Sequence, residues 1–459
     1  MVSSKQPGPN FEIKTQPTWR KKKNKSFVEP PIHRRHFGYG TAVHLVQSGV
    51  NRFHRIERVE GLENLPDPHE ATIIVGNHQN GLMDAIVQSA MLSPNQIHFL
   101  TRADVFYQKT ARAVLFAFNQ MPIYRQRDKL SDARERNRRI FEICAERLNI
   151  GATVGLFPEG NHRAVKTLRP LRRGVVDMIN SALKLNPEMK RLKLVPIGID
   201  YEQMADFRRR LSYRVGAPVS FEDLIDPHTG EIPPGRLLER LMDAMDELLV
   251  NIQPESHYDA LLPYVQAMRT TETENWISTR DEIRRFQSFG EEALESIRQA
   301  HTEAVAAGVF ADTRPEDLGQ GPDFARNAPW WIWPLAPLAA VGGACAYPFS
   351  KFVGAQADKR VKDPCFTSTF KVSVGMFLFP IYLFILAWPL ARIASGEWGG
   401  WPVVATYVFN LIGSRFAGWW YGLYLDWKGK RCAQEVYSNP AKSAAWSAYV
   451  ATVKSHLNA

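Results

Sequence analysis

The sequence predicts an α/β fold over about 41–225, a mixed sheet with flanking helices, followed by helical linker segments and a C-terminal membrane-embedded helical region. Three observations carry that prediction. In the first half, short apolar runs of strand length alternate with helical stretches. From 233 onward helical periodicity takes over. Residues 372–391, VSVGMFLFPIYLFILAWPLA, then run twenty positions without a charge, enough to cross a hydrocarbon core of about 30 Å.

Residues 1–40 are rich in Pro, Lys and Arg, with WRKKKNK at 19–25 and HRRH at 33–36. They lack the apolar core of a signal peptide and read as a disordered basic arm on the cytosolic side, either solubilising or touching an anionic membrane surface. TAVHLVQSGVNRFH (41–54) places Val43, Val46 and Val50 on one face of a short amphipathic helix. Strand candidates follow at 73–75, 96–100 (QIHFL), 121–124 (MPIY), 152–157 (ATVGLF) and 192–199 (LKLVPIGI). Helices are expected between them at 82–93, 104–118, 131–148 and 172–185. YRVGAPVSFEDL (213–224) reads as an edge strand and a turn.

The region 226–328 reads as linker or packing helices. Its first helix carries Leu237, Leu241, Met245 and Leu248 at helical spacing, and a charged helical stretch covers about 273–306. The region 329–427 is expected in the membrane. Residues 401–425 are apolar apart from Asn410 and Arg415, whereas 329–349 contains Pro329, Pro334, Pro337 and Pro348, which argue against one straight helix. Lys351, Lys359, Arg360, Lys362 and Lys371 precede the 372–391 stretch, and Lys428, Lys430 and Arg431 follow 401–425. The connection 395–400 holds no Lys or Arg. The positive-inside rule then makes 372–391 and 401–425 a spanning hairpin with both ends cytosolic. With a cytosolic catalytic domain, 329–349 must be re-entrant or interfacial, and 428–459 is a cytosolic tail. Arg415, inside an apolar stretch, is a functional candidate, a snorkelling side chain or the mark of a helix end.

A content of 45% hydrophobic and 23% charged residues excludes wholesale disorder, and a net charge of +10 asks for an anionic partner. Nucleic acid, a lipid headgroup or a phosphorylated substrate would satisfy it. Six of the twelve tryptophans fall between 330 and 401, which favours a membrane interface and leaves no case for nucleic acid. Cys144, Cys345, Cys365 and Cys432 form no C-x-x-C pair, so neither a disulfide scaffold nor a cysteine zinc site is expected.

The chemistry concentrates in GNHQNGLMDA (76–85). Six positions along an unbroken helix rotate about 600°, so His78 and Asp84 meet only if the chain turns between them. Asn80-Gly81 supplies a turn signal, and a helix starting at Leu82 puts Asp84 in its first turn. The carboxylate then holds one imidazole nitrogen and leaves the other to accept a proton. Three further blocks end on strand candidates: PIYRQR with Arg125 and Arg127, LFPEGNHR with Glu159, Gly160 and Arg163, and VPIGI with Pro196. Ligands gather at the carboxyl ends of strands in such sheets.

In this order, these blocks over about 55–220 resemble the glycerolipid acyltransferase family that includes 1-acylglycerol-3-phosphate acyltransferases. The family usually has four residues between His and Asp. Here there are five, QNGLM, as in a subgroup, and Asn161-His162-Arg163 departs from the Thr-Arg or similar pair that often follows FPEG. The resemblance implies that His78 is the general base for a glycerol hydroxyl attacking an acyl thioester, with Asp84 orienting it. It implies that Arg125 binds phosphate, and that Glu159 and Gly160, with Arg163 beside them, help to hold the glycerol phosphate. Membrane lipid acceptor and acyl-CoA or acyl carrier protein are the expected partners, with no metal and no cofactor. The acceptor is expected to be lysophosphatidic acid, with glycerol 3-phosphate or another lysolipid as alternatives.

Two rivals belong to other classes. A metal-dependent phosphoesterase would use His78, Asp84, Glu159 and His162 as ligands. A non-catalytic lipid-binding membrane protein would not need the set His78, Asp84, Arg125 and Glu159. His98, mid-strand, reads as a core or edge residue. Arg169, Arg172 and Arg173 extend the phosphate pocket or face anionic lipid.

Overall fold

The computed structural model describes residues 27, 29–32, 38–93, 96–125, 128–268, 280–396 and 398–458. Most of the expected basic arm, including 19–25 and 33–36, and Arg127 lie outside the described residues. The α/β part runs α1 (Tyr39–Phe53), β1 (Arg55–Glu60), β2 (Thr72–Gly76), α2 (Leu82–Met91), β3 (Ile97–Arg102), α3 (Lys109–Ala117), β4 (Met121–Ile123), α4 (Ala133–Asn149), β5 (Thr153–Leu156), α5 (Gly174–Leu185), β6 (Lys193–Tyr201) and β7 (Arg210–Val215).

The sheet order is β1-β7-β6-β2-β5-β3-β4. Every neighbouring pair is parallel except β6–β7. The carboxyl ends of β6, β2, β5, β3 and β4 therefore share one edge of the sheet, which is where a ligand site belongs. Successive residues of β2 point to opposite faces. Ile73 and Val75 join a core with α4, α5 and the helix that follows the sheet. Ile74 joins a second core with α1 and α2.

Two local expectations change. The segment read as an edge strand is β7, which starts at Arg210 and is flanked on both sides, because β1 pairs with it. β1, RIERVE, is charged at four of six positions and so carries no apolar signal. The helix expected at 104–118 breaks at Gln108, whose backbone is extended between a 3₁₀ turn (Ala103–Tyr107) and α3.

Beyond the sheet come α6 (Pro234–Asp246), α7 (Tyr258–Met268), α8 (Glu291–Ala306), α9 (Ala336–Arg360), α10 (Thr367–Ser395), α11 (Trp401–Ser438) and α12 (Pro440–Asn458). The charged stretch 273–306 falls partly outside the described residues; the rest is interrupted by a 3₁₀ turn at Phe286–Ser288 ahead of α8. Residues 428–458, expected as a tail, are helical and bury Val436, Trp446, Tyr449 and Val453 against Tyr264 and Ile297 of α7 and α8. Their apolar positions had no visible partner in sequence because that partner lies well over a hundred residues upstream.

The prolines of 329–349 do not prevent a long helix. Pro334 lies in a 3₁₀ turn (Trp330–Leu335) and Pro337 in the first turn of α9, where a missing N–H costs nothing; only Pro348 is interior. By length and composition, Gly321–Arg360 and Pro364–Ser395 are the two described stretches apolar enough to cross a membrane. Residues 401–425 are not among them, diluted by Asn410, Ser414 and Arg415. α10 and α11 pack on one another, with Ala387 and Ala391 against Val403.

Both ends of α9 are tied to the α/β part. At its start the Ile332 carbonyl accepts from Trp420 Nε1 at 2.8 Å, and α11 is fixed two residues later by Arg55, which reaches the Gly422 carbonyl and Asp426. Past its end, Asp363 meets His162 at 2.9 Å. α1 lies against α10, Gly49 facing Val372 and Met376. Arg415 reaches Ser48 of α1 at 3.3 Å, so its charge sits beside the α/β part.

Candidate active site

β2 ends at Gly76 and delivers His78 to the shared edge of the sheet, and α2 begins at Leu82 with Asp84 in its first turn. His78 Nδ1 lies 2.9 Å from Asp84 Oδ2. Asp84 is fully buried and its carboxylate is fixed twice more, by the Asn80 N–H to Oδ2 and by the Tyr201 hydroxyl to Oδ1, both at 2.8 Å. An ionised carboxylate only accepts, so Nδ1 carries the proton and Nε2 is left with its lone pair. Phe157 stacks on the imidazole at 4.3 Å between centroids and limits ring rotation.

Five intervening residues are accommodated at Gly81. Its φ of 50° and ψ of −131° suit glycine, and an added Cβ would stand 2.8 Å from the Cys365 carbonyl oxygen. The turn is therefore shaped both by the backbone and by the α9–α10 connection pressed upon it.

Glu159, from the loop after β5, is buried and spends both oxygens locally. Oε1 accepts the His78 backbone N–H at 2.8 Å and Oε2 pairs with Arg169 Nε at 2.6 Å. Burial pushes its pKa above the usual carboxylate range, against the opposing pull of Arg169. Glu159 thus fastens the loop that carries His78. Gly160, at φ 77°, lets Arg172 lie across the turn where a side chain would collide with it. Arg169 also bonds the His78 and Asn161 carbonyls, at 3.2 and 2.6 Å.

The arginines separate. The Arg163 backbone N–H reaches the His78 carbonyl at 3.2 Å, but its side chain pairs with Glu255. Arg125, just past β4, is held by Asp128 at 3.1 Å and Asp104 at 3.6 Å. β4 stands three strand spacings from β2, roughly 14 Å at about 4.8 Å each. Pro196 pairs with Val75 inside the sheet. His98 lies in the core beside Arg147, at 3.3 Å. Arg173 pairs with Asp177 on the surface.

Several contributors carry no sequence signal. Tyr201 closes β6, its carbonyl gripped by Lys166 Nζ at 2.6 Å. Ser368, at the base of α10, hydrogen-bonds Asn80 Oδ1 at 2.9 Å. Asp363 and Cys365 come from the short α9–α10 connection. Among the described residues, the potential metal ligands that come together are His162, Asp363 and Cys365 rather than His78, Asp84, Glu159 and His162.

Residues 57–200 match the family model described as Acyltransferase. The chain is 28% identical over 137 residues to glycerol-3-phosphate O-acyltransferase 2 of Saccharomyces cerevisiae, covering 29% of this chain and 18% of that protein. It is 28% identical over 136 residues to glycerol-3-phosphate O-acyltransferase 1 of the same yeast, covering 28% and 17%. An uncharacterized acyltransferase of Schizosaccharomyces pombe is 33% identical over 81 residues, 18% of this chain and 12% of that one. The chain thus aligns with less than a fifth of the length of these curated relatives. Among solved structures, the 1-acyl-sn-glycerophosphate (LPA) acyltransferase PlsC of Thermotoga maritima is 14% identical and covers 45% of this chain and 78% of that one, with a TM-score of 0.32.

Proposed function

We propose that this chain, whose residues 57–200 form an acyltransferase-family domain, moves a fatty acyl group from a thioester to a hydroxyl of a phosphorylated glycerolipid at a membrane surface. The observation that carries the reading is the His78–Asp84 pair, 2.9 Å apart, with Asp84 fixed by Asn80 and Tyr201 and Nε2 of His78 without a partner among the described residues. A hydroxyl placed against Nε2 loses its proton as its oxygen attacks the thioester carbon. The imidazolium, stabilised by Asp84, returns that proton to the departing thiolate. Neither step calls for a metal or a cofactor.

Lysophosphatidic acid is the acceptor we favour: two helices are long and apolar enough to cross a membrane, and a site anchored by them would let a lipid acceptor stay in the bilayer. The names of the two budding-yeast relatives make glycerol 3-phosphate the second reading. The α/β domain is taken to face the cytosol, with Lys359, Arg360, Lys362 and Lys371 meeting anionic headgroups. Arg125 is assigned to the acceptor phosphate, with Glu159 and Gly160 shaping the adjoining loop.

The test is acyl transfer by the purified full chain in detergent. Labelled lysophosphatidic acid and glycerol 3-phosphate are each offered with acyl-CoA or acyl carrier protein, with and without a chelator. Chelator-insensitive ester formation that vanishes in His78→Ala supports the proposal, and the preferred acceptor names the substrate. Chelator-sensitive phosphate release without transfer would replace it with a metal phosphoesterase.

A further inference from the structure

We infer that Arg52, Arg208 and Arg415 form a binding site for the phosphate of an anionic phospholipid headgroup, seated where α1 meets α10 and α11 and separate from the acyl-transfer site. The inference goes beyond the acyl-transfer reading and rests only on the membrane placement within it.

The three guanidinium groups converge on the last turns of α1. Arg415, from the apolar stretch of α11, donates from Nη2 to the Ser48 hydroxyl at 3.3 Å. Arg208, from the loop between β6 and β7, donates from Nη1 to the Asn51 and His54 carbonyls at 3.1 and 3.5 Å. Arg52, one turn past Ser48 on the same face of α1, lays its guanidinium over the Phe379 ring of α10, 4.4 Å from the centroid. Arg208 also lies against Gly422 of α11, where an added Cβ would stand 3.5 Å from its Nε. Two loop-linked strands and three helices thus meet at one cationic seam.

No carboxylate neutralises it. Among the described residues none of the three arginines forms an ion pair, and the Arg208 Nε is buried without a hydrogen-bond partner. Asp426, whose charge reaches Arg208, is paired with Arg55 at 2.7 Å and Arg210 at 3.5 Å. Burial, and then the charges of Arg415 and Arg208, push the Arg52 pKa down from 12.5 to about 10. Like charges held together repel, and an anion placed among them turns that repulsion into attraction. Phosphate suits the seam because a guanidinium fork bonds its oxygens in pairs.

The source of the phosphate follows from what surrounds the seam. The exposed large apolar side chains run from Phe377 to Ile393 on α10 and from Trp401 to Ile412 on α11. Arg52 covers Phe379 at the head of the first run, and Arg415 comes next after the second. Beyond it Trp419 and Tyr421 are exposed, the aromatic pair of a membrane–water boundary. An apolar band that stops at these arginines puts them at headgroup depth, where lipid phosphate is concentrated and free phosphate is not. β6 ends, and β7 and β1 begin, at the sheet edge that carries His78. A headgroup held there sets that edge against the bilayer surface.

The test follows the thermal midpoint of the full chain in neutral detergent as dioleoylphosphatidylglycerol, dioleoylphosphatidylcholine or inorganic phosphate is added. Phosphatidylglycerol is used because it is neither acceptor nor product of the favoured reaction. It should raise the midpoint by at least about 2 °C near saturation, and the other two additions less than about half as much. Arg415 is exposed, so Arg415→Gln removes charge without opening the core. Arg415→Gln and Arg52→Gln should each lose most of the rise, and Arg52→Lys should keep part of it. Arg392→Gln, in the last turn of α10, should keep it all. No rise with phosphatidylglycerol, a rise unchanged in both glutamine variants of the seam, or an equal loss in Arg392→Gln would overturn the inference. An equal rise with inorganic phosphate would overturn the lipid as its source. Flotation with phosphatidylcholine vesicles checks the membrane placement separately, and a chain that stays unbound overturns that placement and this inference with it. The acyl-transfer chemistry stands under every one of these outcomes.

Discussion

Tyr201 donates its hydroxyl to Asp84 Oδ1 at 2.8 Å from 117 positions along the chain, joining the end of β6 to the start of α2 behind the His78 imidazole. The bond has two consequences. It satisfies the carboxylate oxygen that His78 does not use, and it aims the other oxygen at Nδ1. Burial and the neighbouring Asp84 charge push the Tyr201 pKa well up, so the phenol remains a donor throughout the working range.

Tyr201→Phe keeps the ring and removes the donor. A buried acceptor left unsatisfied costs about 1–3 kcal/mol, so the thermal midpoint should fall. The kcat should drop about tenfold with KM little changed, because Asp84 is freed to turn. Steady-state kinetics with a thermal melt measure both, and an unaltered kcat would show that Asn80 alone suffices to aim Asp84.

Gly81→Ala strikes the turn between the pair. Its dihedral angles suit glycine, and the new methyl would meet the Cys365 carbonyl. Strain of this kind costs on the order of 1–3 kcal/mol, and relief comes by pushing the α9–α10 connection away from the site. Activity should fall at least about tenfold, and protease should cut the 361–366 connection faster than in the unsubstituted chain. Equal cutting rates would show that the contact yields without undocking the hairpin.

Much of the fold was legible because its signals are local. Apolar runs at Ile73–Val75 and Leu194–Ile199 marked buried strands, and the turn signal at Asn80-Gly81 with Asp84 just beyond it marked the pair. What escaped is what is long-range or polar. β1 gives no apolar rhythm, yet it covers β7 through backbone pairing. Tyr201, Asp363 and Ser368 are ordinary residues in their own windows, made significant by neighbours 117, 201 and 288 positions away. Residues 428–458 read as a tail for the same reason, since α7 and α8 supply the far half of their core.

Arg125→Ala tests acceptor recognition apart from chemistry. Removing a guanidinium that meets phosphate forfeits a charge-assisted pair of about 1.5–3 kcal/mol. KM for a phosphate-bearing acceptor should rise about 10–100-fold. The rate with a neutral acceptor such as monoacylglycerol should barely move. The opened neighbours, Asp104 and Asp128, would repel phosphate and enlarge the effect, so Arg125→Lys should lie between. An unchanged acceptor preference would refute the role.

His54 predicts an acid sensitivity seated directly behind the site. It is fully buried, edge-on to Phe53 at 4.9 Å and 5.5 Å from the Tyr201 ring. Burial pushes its pKa down from 6.5 to about 3. The folded chain thus keeps His54 neutral while the unfolded chain begins to bind a proton near pH 6.5. The sign follows: stability is full above about pH 6.5 and is lost as pH falls from there toward 3. At about 1.4 kcal/mol per pH unit, roughly 2 kcal/mol should be gone by about pH 5. His54→Leu removes this titration and keeps an apolar group in the space. The gap in thermal midpoint between the two chains should therefore shift in favour of His54→Leu as pH drops from 7 to 5. A gap that stays constant over that range would mean that His54 binds its proton equally well in the folded and unfolded chains.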